Sequence, residues 1–233
     1  MDWSASSEMY VTKAQLYGYI EYLRKNILGI SLNDYPLDLV SICKNHPRLE
    51  LEFHNFNGKK VMGYTIKCGD FSVILVNKFK SLKEQQWIVG HEMIHAFMHP
   101  EENRFHLKTA MPIETESGLE WQANEGSSEL LVPYRLFLPQ VKERYDEMTT
   151  YRRGVTRFCN EAAEMYRVTP YLIQNRLISL KYEIEQYVCQ GVPLEAVKVL
   201  SRKRQALRGI YCKNLVECAA EMALTYENLV VNA

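Results

Sequence analysis

The stretch from Ser81 to Pro100 constrains this chain most, because it carries a helix start, a helix stop and a paired-histidine motif within twenty residues. Ser81-Leu-Lys-Glu84 has the spacing of a capping box, in which the serine and glutamate side chains satisfy orphan N–H groups at a helix start. Pro100 lacks a backbone donor and closes the segment. The spacing therefore predicts a helix from 82 to about 99, with His91-Glu92-Met93-Ile94-His95 inside it. Four residues advance a helix by about 400°, so His91 and His95 stack on one face and can aim ring nitrogens at a single ion. Glu92 follows beside them, where a carboxylate can serve an attacking water as general base without being a ligand. With 6 histidines and 23 glutamates in 233 residues, random placement yields this pattern only ~0.015 times per chain. The bland alternative is a buried helix with two hydrogen-bonded histidines.

A catalytic zinc takes three protein ligands and keeps one open position. The extended pattern with a third histidine fails here, since Met98 and Glu101 stand where glycine and histidine would be required. His99 lies about 80° round the helix from His91 and points partly away, as a partner of a ligand or an ordinary helix-end residue. His106 lies beyond Pro100 in an expected loop. The next helix, expected from about 117 to 131, offers Glu116, Glu120, Glu125 and Glu129. Glu120 would complete a His₂Glu set, with Asn124 one turn on to hold a ligand histidine by its other nitrogen. Ser117-Gly-Leu-Glu120 also reads as a capping box, which would spend Glu120 on starting the helix. Spacing alone leaves that choice open.

Composition narrows the class. Lys plus Arg (28) cancels Asp plus Glu (28), which removes the footprint of a chain devoted to coating nucleic acid or anionic membrane. No stretch reaches the ~18 uninterrupted apolar residues of a membrane span. The acidic, polar start does not read as a secretory signal, and six scattered cysteines without a C-x-x-C pair read as reduced thiols. A cytoplasmic protein is expected.

Hydrophobic period gives the layout. Leu16, Ile20, Leu23 and Ile27 mark a helix over 12–28, and Pro36 opens a second over 36–45. Alternation at 49–53, 61–66 and 71–76, with turns at Asn57-Gly58 and Gly69-Asp70, predicts a three-stranded antiparallel meander. The strand 71–76 is either a core strand or an edge that could take up an extended peptide. Helices follow to the end: Val155–Tyr166, a break at Arg167-Val168, a helix from Pro170 to about 188, and two more around Tyr211–Asn214. The fold class is α+β, divided into a core over 1–150, a helix-turn-helix-like unit over 151–188 and a helical extension over 189–233.

His91–His95, followed by Glu120, Ala123-Asn124 and Glu129-Leu-Leu-Val-Pro133, resembles the ImmA/IrrE family of bacterial and phage metallopeptidases. Tyr166–Leu180 is similar to that family's helix-turn-helix-like segment, so the resemblance spans about residues 12–185. It implies a zincin-like core with zinc on His91, His95 and Glu120, Glu92 as general base, and cleavage of a helix-turn-helix repressor that derepresses a phage, mobile element or stress regulon. Gly126-Ser127-Ser128 departs from the family pattern of an aromatic residue and two alanines. Glycine costs about 1 kcal/mol against alanine within a helix, so something packs close there or the helix bends. The alternative is a non-catalytic protein that binds a repressor or DNA. Against DNA reading, the helix from Pro170 offers only Arg176 and Lys181 as cations, while the basic run Lys198, Arg202, Lys203, Arg204 and Arg208 reads as a solvated face.

Overall fold

The computed structural model describes residues 11–56, 61–99, 104–107, 118–151 and 153–221. Its contacts divide the chain into two units, Met1–Val11 with Gln15–Leu131 and Thr12–Ala14 with Val132–Ala233. The division falls at Leu131, earlier than the expected boundary at 150.

The helix α1 (Lys13–Tyr22) belongs to the first unit from Gln15 on and ends in a wider π turn at Leu23–Ile27. The next helix, α2, is Leu39–Asn45 rather than 36–45, because Asp38 caps it by accepting from the Ser41 N–H at 3.1 Å. Pro36 lies outside it.

The sheet corrects the three-stranded antiparallel meander. Among the described residues it has four strands, β1 (Leu49–His54), β2 (Val61–Cys68), β3 (Phe71–Asn77) and β4 (Arg104–Leu107), in the order β1-β3-β2-β4. β2 and β3 form the expected hairpin, with Gly69 at φ +63 taking the left-handed turn position. β1 pairs with β3 in parallel, from Leu49 opposite Ser72 to His54 opposite Asn77. Residues 55–60 separate β1 from β2, too many for a two-residue hairpin, and the expected Asn57-Gly58 turn lies outside the described residues. The strand with Ser72, Ile74 and Val76 buried takes the middle, while β1, with Glu50 and Glu52 exposed, takes an edge. β3 is therefore a core strand and offers no free edge.

α3 (Leu82–Met98) packs on β2 and β3 and against α4 (Gly118–Leu131). Its capping box is formed: Ser81 N–H donates to Glu84 at 2.9 Å and Glu84 N–H to the Ser81 hydroxyl at 3.3 Å. The helices approach through small residues. A Cβ on Gly126 would lie 3.2 Å from both Ile20 Cδ1 and Ile94 Cγ1, which gives the departing Gly126-Ser127 pair its packing reason.

The second unit is helical: α5 (Tyr134–Glu143), α6 (Tyr145–Thr150), α7 (Gly154–Tyr166), α8 (Pro170–Ser179), α9 (Lys181–Ile184) and α10 (Arg202–Leu207), then a helix over 215–221. Arg167 at φ 55 breaks α7 from α8, and Thr169 caps α8 by accepting from Leu172 N–H at 3.2 Å. The helix expected to run to 188 stops at Ser179 and resumes as α9 with a π turn to Cys189. Arg176 is fully buried and donates to the Val132 carbonyl at 3.0 Å. It is a packing residue, with no surface to offer a phosphate. Lys198, Arg202, Lys203 and Arg208 are exposed, as a solvated face requires. Among the described residues, no helix is long and apolar enough to cross a membrane.

Candidate metal centre and active site

α3 supplies two nitrogens. One turn apart on its buried face, His91 and His95 bring their Nε2 atoms to 3.1 Å. At most one of a facing pair can donate to the other, whereas a cation satisfies both lone pairs. α4 brings the third donor: Glu120 Oε2 lies 3.5 Å from His91 Nε2 and Oε1 lies 3.6 Å from His95 Nε2. Among the described residues, this trio forms the group of metal-binding side chains, its ligand atoms within 4.8 Å of one another. A tetrahedral ion with bonds of ~2.0–2.2 Å holds its donors about 3.3–3.6 Å apart. The two nitrogen–oxygen separations fall in that range and the 3.1 Å nitrogen pair lies just below it, so the residues fit a divalent metal with three protein ligands.

Two of the competing carboxylates lie elsewhere. Glu125 accepts from the Tyr17 hydroxyl and Glu129 is buried further along α4. Glu116 and the Ser117 cap lie outside the described residues, as does the side chain of His106, whose backbone pairs with Gly63 on β4.

Glu92 is 1% exposed and faces β2. The Thr65 hydroxyl donates to its Oε2 at 2.7 Å, and Gly63 lies against its Oε1. Trp87, one turn before His91 on α3, places its ring 5.3 Å from that of His91. Glu120, at 30%, is the half-buried member.

His99 takes the first of the two roles expected of it, partner of a ligand histidine, by a route that helix geometry did not give. The chain leaves the helix at His99, at φ −97, ψ 146, instead of carrying the residue 80° round from His91. Its ring folds back so that Nδ1 meets His95 Nδ1 at 2.7 Å. Burial pushes His99 down to about 4, with the Gln122 amide pulling the other way. It is thus a neutral imidazole that can accept the Nδ1 proton of His95 and so fix the tautomer whose Nε2 lone pair faces Glu120. Asn124, expected to hold a ligand histidine in the same way, lies one turn after Glu120, and its backbone carbonyl accepts from the Ser128 hydroxyl at 2.8 Å. The helix end that carries His99 is pinned: Lys67 donates to the His99 carbonyl and Tyr19 to the Phe97 carbonyl at 2.9 Å, satisfying acceptors that a helix leaves open.

A family model described as the IrrE N-terminal-like domain (Peptidase M78) matches residues 46–177, more than half of the chain. The matched stretch runs from before β1 into α8 and is shorter than the 12–185 expected. No curated protein matches the chain.

Proposed function

The chain belongs to the IrrE N-terminal-like peptidase family, and on that premise we propose that it is a zinc-dependent endopeptidase on a zincin-like core that cleaves a particular helix-turn-helix repressor inside the cell. The convergence of His91, His95 and Glu120, with Glu92 buried beside them, carries this reading. A zinc ion held by the three would polarise the scissile carbonyl and lower the pKa of a bound water toward ~7.

The protein's own groups do the rest. Glu92 takes a proton from the attacking water and returns it to the leaving amine, so that one carboxylate serves as base and then as acid. His99 keeps His95 in the tautomer that presents Nε2. Burial of the histidines and of Glu92 keeps bulk water from the proton transfer, and the half-buried Glu120 supports an opening for the peptide on that side. Preference for a repressor rests on the family resemblance, and its cleavage would derepress a phage, a mobile element or a stress regulon.

Glu92→Gln tests the reading. Co-expressed with a candidate repressor, the wild type should cleave it and the variant should leave it intact while still binding metal and repressor. Derepression that persists undiminished in Glu92→Gln would favour sequestration without catalysis.

A further inference from the structure

Alternate residues of a strand share a face, and Gly63, Thr65 and Lys67 of β2 all meet α3. Gly63 lies where a Cβ would come 2.6 Å from Ile88 Cγ2 and 2.8 Å from Glu92 Oε1. Thr65, 4% exposed, places its hydroxyl oxygen 2.7 Å from Glu92 Oε2 and 3.1 Å from the Glu92 backbone carbonyl. The hydroxyl has one proton, and the shorter, charge-assisted contact to the carboxylate takes it. Lys67 holds the carbonyl of His99 at the far end of the same helix. The strand is thus a template along the motif helix, and its central contact is with the carboxylate.

We infer that Thr65 is a positioning residue for Glu92: its hydroxyl fixes the rotation of the carboxylate, and the bare Cα of Gly63 lets that carboxylate sit against the strand. This rests on the proposed role of Glu92 as general base. A base must stand within hydrogen-bond reach of the proton it takes, and a displacement of about 1 Å at such a group can cost on the order of 100-fold in rate. Among the contacts described, Thr65 reaches Glu92 and none of the three metal donors, so it acts through Glu92.

The test needs no substrate. The full-length protein is loaded with cobalt, and acetohydroxamic acid is titrated in, with binding read from the visible absorption of the metal. A hydroxamate chelates the ion and yields its proton to an adjoining base, so its affinity reports where that base stands. Thr65→Val keeps the volume and removes the hydroxyl, and should weaken hydroxamate binding by about tenfold to a hundredfold, the range typical of groups that orient a metal site. Thr65→Ser restores the hydroxyl and should bind within about twofold of wild type, with cobalt content equal in all three proteins. If Thr65→Val does not fold, Thr65→Ala carries the same comparison. Wild-type affinity in the hydroxyl-less variant, alongside a loss in Glu92→Gln, overturns the positioning role and leaves the base intact. Wild-type affinity in Glu92→Gln, or a wild type that takes up no cobalt, overturns the base or the metal site, and the positioning role with it.

Discussion

Gly90 of α3 faces Ser127 of α4 so closely that a Cβ on Gly90 would lie 2.6 Å from the Ser127 hydroxyl oxygen, with Leu39 Cδ1 at 3.0 Å. That hydroxyl donates to the Trp87 carbonyl at 3.0 Å and cannot swing away without losing the bond. The contact lies next to His91 and sets how near α4 brings Glu120. Gly90→Ala gains about 1 kcal/mol of helix propensity and loses about 1–3 kcal/mol to overpacking. The net should be destabilising, with weaker metal binding. Gly18 of α1, exposed and with nothing within 4 Å of its Cβ position, is the control. Gly18→Ala should stabilise by about 0.4–1 kcal/mol. Denaturant melts of both variants should shift in opposite directions.

The metal ligands and their support should separate by size of effect. Glu120→Ala removes a donor whose oxygens stand 3.5 and 3.6 Å from the two histidines. His99→Ala removes only the partner of His95 Nδ1. Losing such a partner costs about 10–100-fold in metal affinity, and losing a ligand should cost more. Zinc per chain after dialysis, followed by competition with a chelator, should rank wild type above His99→Ala and His99→Ala above Glu120→Ala. Equal retention by wild type and Glu120→Ala would remove Glu120 from the ligand set.

What could be read in the sequence was what is local. The limits of α3 follow from Ser81, Glu84 and Pro100, and the stacking of His91 on His95 follows from helix geometry alone. The hairpin of β2 and β3 follows from Gly69. The partner of β1 does not, because alternation marks a strand without saying which neighbour it takes, and the parallel pairing with β3 joins residues far apart in the chain. Which of its two expected roles His99 takes could not be read for a related reason: its contact with His95 depends on the chain leaving the helix one residue before the proline. The Thr65 contact with Glu92 spans 27 positions and has no sequence signal of its own.

The cysteines should divide by burial when challenged with iodoacetamide. Burial pushes the Cys43 thiol up to about 12 and the Cys159 thiol up to about 11. A raised value means less thiolate at a given pH, so at pH 8 Cys43 is ionised in only about one molecule in ten thousand. Cys68 and Cys189 are exposed. Peptide mapping after mild labelling of the native protein should find Cys68 and Cys189 modified and Cys43 and Cys159 untouched. In denaturant all should react, because the burial that suppresses the two thiols is then lost.

Within the second unit, Lys13 and Glu183 form an ion pair at 3.1 Å with exposures of 2% and 0%. Lys13 also donates to the Ser179 carbonyl at 2.6 Å, and Glu183 accepts from the Leu200 N–H at 3.0 Å, so the pair ties Thr12–Ala14 to α8, α9 and the segment before α10. Ions this buried have given up most of their hydration, and their mutual attraction offsets that cost only while both are present. Lys13→Met leaves an uncompensated carboxylate inside the unit and should destabilise by about 3–5 kcal/mol. Lys13→Met with Glu183→Gln removes both charges while a neutral oxygen still accepts from Leu200. The double variant should recover more than half of the loss, short of full recovery because the bond to Ser179 is gone. Urea melts of the single and double variants give the comparison. A double variant as unstable as Lys13→Met would show that the lysine stem and its bond to Ser179, rather than the charge pair, hold the N-terminal piece in place.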